Sequence, residues 1–211
     1  MIASLVILIL LFSPLAKPYL IGGPMLTGHE NLKCIACHKD APGTLRQQLQ
    51  ANTQYLLGTR DKFTSVGFRP AENKECIHCH ARPNDRHPVY RFQEPKYRHV
   101  RQATGAHRCA SCHREHNAQR ISINADFCQH CHDELQLKQD PLDVSHQQLV
   151  KQERWLSCLT CHDFHGNHDM TVPTKMQQAI QTELIKDYFQ RGQNPYPGKP
   201  VYKAKTYDYA E

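Results

Sequence analysis

Continuous apolar sequence occurs once in the chain, over residues 2–16, where Lys17 and Pro18 interrupt it. At fifteen residues it matches the apolar part of a signal sequence and is short for a membrane span, although Tyr19, Leu20 and Ile21 extend it if Lys17 snorkels. No positive charge precedes Lys17, and Pro14-Leu15-Ala16 makes a poor cleavage site, so an uncleaved membrane anchor over residues 1–22 is favoured over a removed signal. Either reading implies export. Beyond this segment the apolar positions recur at helical spacing in three places. Residues 44–57 predict a helix with Thr44 as its N-cap and Gly58 as its stop. A second is expected from Ser145 through Leu156, with His146 at its start. Residues 173–191 predict an amphipathic helix, with Met176, Ile180, Leu184 and Tyr188 at four-residue intervals and Gly192 as its end. Residues 81–100 are rich in Arg, His and Pro, which disfavours helix and predicts an ordered loop. Residues 194–202 read as an extended tail lying along the protein or along another subunit. The expected organisation is therefore the segment 1–22, a main domain over 23–170, and a C-terminal helix and tail over 171–211.

Composition changes this picture. Only 39% of the 211 residues are hydrophobic and 8% aromatic, thin for a self-sufficient core, while ten cysteines and fifteen histidines are far above normal usage. All ten cysteines fall into five pairs of one spacing, each followed at once by histidine: Cys34/Cys37-His38, Cys76/Cys79-His80, Cys109/Cys112-His113, Cys128/Cys131-His132 and Cys158/Cys161-His162. Composition alone supplies about 0.03 such matches. Residues three and four apart share one face of a helical turn, so two thiols reach the two vinyl groups of a porphyrin edge while the histidine swings beneath the iron. The motif therefore points to covalently attached haem c with the histidine as proximal ligand, five times over. Zinc also uses paired cysteines but gives no reason for a histidine after each pair. Disulfides confined to such loops would staple nothing distant, and a thioredoxin-like centre needs one pair rather than five.

Five such sites in a short chain resemble the multihaem c-type cytochromes, in particular small pentahaem electron-transfer proteins of the class III and nitrite-reductase-partner kind. The resemblance spans roughly residues 29–168 and rests on the five motifs and the surplus of histidines. It implies a mostly irregular fold with a few α-helices, little or no β structure, a covalent haem array as core, and a role in carrying electrons outside the cytoplasm.

Ten histidines remain beyond the five proximal ones, whereas methionine is represented by Met1, Met25, Met170 and Met176 alone. The initiator cannot serve and three methionines cannot supply five irons, so bis-histidine ligation is the default, with potentials in the low direction. His146 and His116 each lie twelve residues before a motif cysteine, Cys158 and Cys128, an offset that lets a short helix deliver a ligand from above. His99, ten before Cys109, and His29, five before Cys34, resemble the upstream distal ligands of small multihaem cytochromes. For the second haem His87, His165 and His168 compete. The spacing Cys-His-x-x-His occurs at His113/His116 and His162/His165, and in related proteins a histidine so placed reaches a neighbouring iron. His78 and His130 lie inside the binding loops and point away from their own haems, while His107 is too tightly tethered to reach the iron beside Cys109. The fourteen residues between His113 and Cys128 make the third and fourth haems near neighbours.

The formal charge of +6 does not imply nucleic acid, because ten propionates and five oxidised iron centres shift the total by about −5. The arginines of residues 82–91 are better suited to haem propionates. The expected function is electron relay on the periplasmic side of a membrane, as a carrier or as a subunit of a respiratory or photosynthetic complex. Its partners would be redox proteins, a quinol-oxidising membrane protein or a terminal reductase among them. An enzyme, such as a small-molecule reductase, needs an open iron position, and here histidines outnumber the irons three to one. A filament in which subunits stack head to tail is the remaining alternative.

Overall fold

Short helices built around the cysteine pairs make up much of the regular structure. The computed structural model describes residues 23–206 together with Val6, and the expected anchor over 1–22 otherwise lies outside the described residues. The elements are α1 (Cys34–Cys37), α2 (Leu45–Leu56), α3 (Asn73–His80), α4 (Arg98–Thr104), α5 (Cys109–Cys112), α6 (Gln129–His132), α7 (His146–Lys151), α8 (Leu156–Cys161) and α9 (Thr182–Gln190), joined by loops and 3-10 turns. Two isolated bridges, Asp40 with Phe68 and His168 with Pro200, are the β pairing found among the described residues. Among those residues no helix is long and apolar enough to cross a membrane. The fold is thus helical and irregular. Among the described residues the chain divides into two compact units, one including residues 23–31 and 83–202 and the other 32–82 and 203–206, with the boundary inside the stretch 23–170 expected to form a single domain.

In the smaller unit, polar side chains do much of the packing that apolar ones do elsewhere. Thr44 caps α2 through a capping box with Gln47, as the sequence predicts. One turn on, Gln48 and Asn52 face inward four residues apart and are both buried. Gln48 donates to the carbonyls of Ala41, Pro42 and Gly43 and accepts from the Gly67 amide, and Asn52 pairs with both backbone groups of Thr64. Two amide side chains so satisfied fasten α2 to two loops where apolar residues are scarce. A second capping box, Glu72 with Glu75, starts α3, and Arg69 bonds to both carboxylates at 2.8 Å. Burial by itself pushes the Glu75 carboxyl up, but the Glu72 amide and Arg69 outweigh it and hold it below the usual range.

The larger unit has an apolar centre. Ala125, Trp155, Leu159, Ile185 and Tyr196 pack together, with Cys128, Cys158, Phe164, Ile180, Tyr188 and Phe189 against them. Three sequence expectations change here. The helix expected over 145–156 is broken: α7 ends at Lys151 and α8 starts at Leu156. Glu153 adopts φ +53, its amide donates to Val150 and the Arg154 amide to Leu149, the double bond pattern of a Schellman stop. Glycine is the residue such a stop favours, so E153G is expected to raise unfolding stability by about 0.5–1 kcal/mol, read from a denaturant melt. The C-terminal helix begins at Thr182 rather than Pro173, after a 3-10 turn at Met176–Gln178. Its buried position is Ile185, fully enclosed, while Leu184 of the expected stripe is 49% exposed. The arginine-rich stretch stays irregular only to residue 90, then tightens into 3-10 turns at Arg91–Gln93 and Pro95–Tyr97 and into α4. Proline at the first position of a 3-10 turn costs no hydrogen bond, which is why Pro95 starts an element here.

Arg120 closes the end of α9. Its amide donates to Gln190, its guanidinium to the carbonyls of Tyr188 and Gly192, and it lies 4.2 Å over the Tyr188 ring. The tail lies along this same unit: Tyr196 is buried with its hydroxyl on the Leu159 carbonyl, and Asp169 and Val201 exchange backbone bonds with Lys199 and Asn167. Gly198 allows that approach, since a Cβ there would stand 1.9 Å from the Asp169 carbonyl oxygen.

Candidate haem-binding centres

Each cysteine pair occupies a helical turn, so the spacing becomes geometry at once. The histidine amide of three motifs bonds back to the carbonyl of its first cysteine: His38 to Cys34 at 2.8 Å, His113 to Cys109 at 3.0 Å and His162 to Cys158 at 2.8 Å. These three histidines leave helical conformation immediately and carry their rings off the helix end. The second and fourth motifs depart from that pattern, because their histidines stay helical. Cys76, Cys79 and His80 all lie within α3, and Cys131 and His132 within α6. Cys76 and Cys79 are both half-buried. The Cys76 thiol points back to the Glu72 carbonyl at 3.7 Å, and the Cys79 carbonyl, freed near the end of α3, accepts the Lys205 amide at 3.0 Å. The ten thiols form no disulfide. Burial pushes Cys112 up to about 11 and Cys128 up to about 12, and raises Cys131, Cys158 and Cys161. Surroundings that penalise a thiolate suit a neutral thioether sulfur. Among the described residues no three His, Cys, Asp or Glu side chains gather as a zinc site requires.

The larger unit brings three motif histidines each close to a second imidazole ring. His113 meets His165 with ring centroids 6.1 Å apart, His132 meets His87 at 6.3 Å, and His162 meets His146 at 6.2 Å. Two imidazoles on opposite sides of one metal ion, each with a bond of about 2 Å and a ring radius of about 1.1 Å, place their centroids about 6.2 Å apart. The three separations match that span. Their planes cross at 26°, 79° and 37° in the same order.

What orients the rings supports the same use. His113 Nδ1 lies 2.9 Å from the Arg120 carbonyl and His87 Nδ1 2.7 Å from that of Phe164. His146 Nδ1 lies 2.8 Å from Asp140, and His165 Nδ1 3.1 Å from both oxygens of Asp85. A carbonyl or carboxylate oxygen only accepts, so Nδ1 carries the proton and the Nε2 lone pair is left to bind a metal. Burial pushes His87 and His162 below the ordinary histidine range, which keeps both neutral as a ligand must be. In the smaller unit His38 Nδ1 is anchored in the same way on the Arg69 carbonyl, at 3.1 Å.

The expected distal ligands are placed as follows. His146 stands opposite His162, the motif that follows it. His165 and His87, weighed for the second site beside Cys76 and Cys79, stand opposite the third and fourth motif histidines instead. His29 is anchored through Nδ1 on Glu115 at 2.5 Å. His99 is exposed in the first turn of α4, and His116 is half-buried with φ +66. His168 has both ring nitrogens engaged within the protein, by Asp163 at 2.7 Å and Asn194 at 2.7 Å, and stacks on Tyr196. Phe164 lies between two of the pairs, stacked on His87 at 4.1 Å and edge-on to His165 at 4.9 Å, so the third and fourth sites are neighbours.

Sequence reasoning missed the carboxylates that hold the imidazoles: Asp85, Asp140, Asp163 and Glu115. Their separations from the histidines they hold run from five residues to eighty-six, so no fixed spacing signals them. No family model matches the chain, and no curated protein or solved structure matches it either.

Proposed function

We propose that the chain is an exported electron-transfer protein that relays electrons through five covalently bound c-type haems with paired histidine ligands. The observation that supports this most is the set of three imidazole pairs at 6.1–6.3 Å, each including the histidine of a cysteine-pair motif. Haem, when bound, supplies one-electron iron chemistry. The chain's own residues do the rest. The ten motif cysteines tether the groups, and His38, His80, His113, His132 and His162 serve as proximal ligands. His165, His87 and His146 close the third, fourth and fifth sites from the opposite side, and His29, His99 and His116 stay candidates for the remaining positions. Backbone carbonyls and half-buried carboxylates hold His87, His113, His146 and His165 each in one tautomer, so these four rings need not reorganise as an electron arrives or leaves. Phe164, packed against the apolar centre, places an aromatic ring between His87 of the fourth site and His165 of the third.

Three sites closed by a second imidazole leave no position for a substrate there, which favours a relay over a reductase. The partners on this reading are redox proteins on the periplasmic side of a membrane, with the chain acting as a carrier or as a subunit of a larger complex.

Intact mass combined with a low-temperature electron paramagnetic resonance spectrum of the purified protein tests the proposal. Five haem masses and ferric low-spin signals are expected. A colourless polypeptide of bare-chain mass, with its sulfurs on zinc, would overturn it.

A further inference from the structure

The three paired sites differ in what holds the imidazole opposite the motif histidine. His165 and His146 each give Nδ1–H to a carboxylate, Asp85 and Asp140, whose side chains are 15% and 16% exposed. His87 gives its Nδ1–H to the neutral carbonyl of Phe164. A carboxylate acceptor draws the Nδ1 proton and leaves more electron density on Nε2, and its own negative charge in a half-buried position favours the more positive iron state. Both effects stabilise ferric over ferrous iron. A peptide carbonyl does either only weakly.

The ring planes act in the same sense. In low-spin ferric iron the electron hole occupies whichever d orbital the imidazole π systems raise most. Nearly aligned rings raise one orbital together, whereas crossed rings share the effect between two and stabilise the ferric state less. The His113–His165 and His146–His162 planes lie at 26° and 37°, against 79° for His87–His132.

We propose that Asp85 and Asp140 are positioning residues that set the third and fifth haems at lower potential than the fourth, making the His87–His132 site the place where an electron rests in this unit. The inference depends on the bis-histidine haem reading above. It gives the unit a direction: one electron from a reducing partner protein, entering at the third or fifth site, moves downhill to the fourth, whose iron goes from ferric to ferrous as the donor haem returns to ferric.

Asp140 offers the cleaner test, because Asp85 also accepts the His87 backbone amide at 2.9 Å and so touches two sites. Asp140 accepts the amides of Leu142 and His146 beside the His146 ring. The holoprotein and its D140N variant are titrated anaerobically against applied potential while the ferric signals are followed at low temperature. Crossed rings give the fourth haem a signal of large g anisotropy, distinct from the rhombic signals of the more aligned pairs.

In the unmodified protein the highly anisotropic signal of the fourth haem is expected to bleach at higher potential than the rhombic signals of the third and fifth. In D140N one rhombic signal should shift upward, so that its reduced-to-oxidised ratio at a fixed potential rises about tenfold, or about 59 mV for one electron. The fourth haem should stay in place and D140E should restore the original value. If D140N does not fold, D85N with the third haem replaces it. Unshifted potentials with low-spin signals intact in both variants would overturn the proposal alone. Absence of low-spin haem signals from the unmodified protein would overturn the haem reading beneath it.

Discussion

H165A, on the proposed haem reading, is expected to bind carbon monoxide at its third haem in the ferrous state, where the unmodified protein binds none at its third, fourth or fifth. The imidazole of His165 stands 6.1 Å from that of His113 and is oriented by both oxygens of Asp85, so on that reading its removal would open one face of the third iron. The effect is categorical, because a six-coordinate iron loses a ligand and one low-spin ferric signal becomes high-spin. Methionine at the same position would restore six-coordination at a raised potential. H168A is the informative contrast. Its ring is held between Asp163 and Asn194 and stacks on Tyr196, so it should cost about 1–3 kcal/mol of stability while every haem stays low-spin. Carbon monoxide binding by H168A and not by H165A would reverse the ligand assignment.

C158S/C161S is expected, on the same haem reading, to lose one haem mass and with it the cooperative melting of the larger unit. Cys161 is buried, and Cys158 packs against the centre formed by Trp155, Leu159 and Ile185. Removing a haem tethered there would leave apolar surface without a partner, a loss on the order of 5 kcal/mol, comparable to the whole stability of a small domain. Trp155 is the chain's one tryptophan, so its fluorescence and near-ultraviolet circular dichroism report this centre directly. C34S/C37S should also lose one haem mass but leave the Trp155 signature intact, since α1 buries none of its residues. Equal effects of the two double variants on Trp155 would show that the fifth motif has no special part in the core.

Much of the local structure was legible in the residue pattern. Thr44 with Gln47 defines the start of α2 because capping is settled within four residues. Ser145 likewise starts α7, and its hydroxyl accepts the Gln148 amide. The end of α7 was not legible, because no glycine marks it: Glu153 takes the left-handed conformation so that Trp155 can turn into the core. The helix expected from Pro173 fails over its first half for a related reason. Ile180 gives its backbone amide to the Thr160 carbonyl of α8 instead of to its own helix, so tertiary pairing overrides a regular apolar spacing.

The same division runs through the candidate centres. Two sulfurs on one helical turn with an imidazole directly after them are set by neighbours within five residues, so all five cysteine-pair turns and the surplus of imidazoles around them are written in the order of residues alone. Which second imidazole faces which motif depends on the packing of segments far apart in the chain: His113 with His165, His87 with His132. Those pairings emerge on folding, along with the choice between carboxylate and carbonyl at each Nδ1. Local backbone geometry positions atoms a few residues apart, whereas a pair separated by tens of residues meets only where the core around Trp155 and Ile185 brings its segments together.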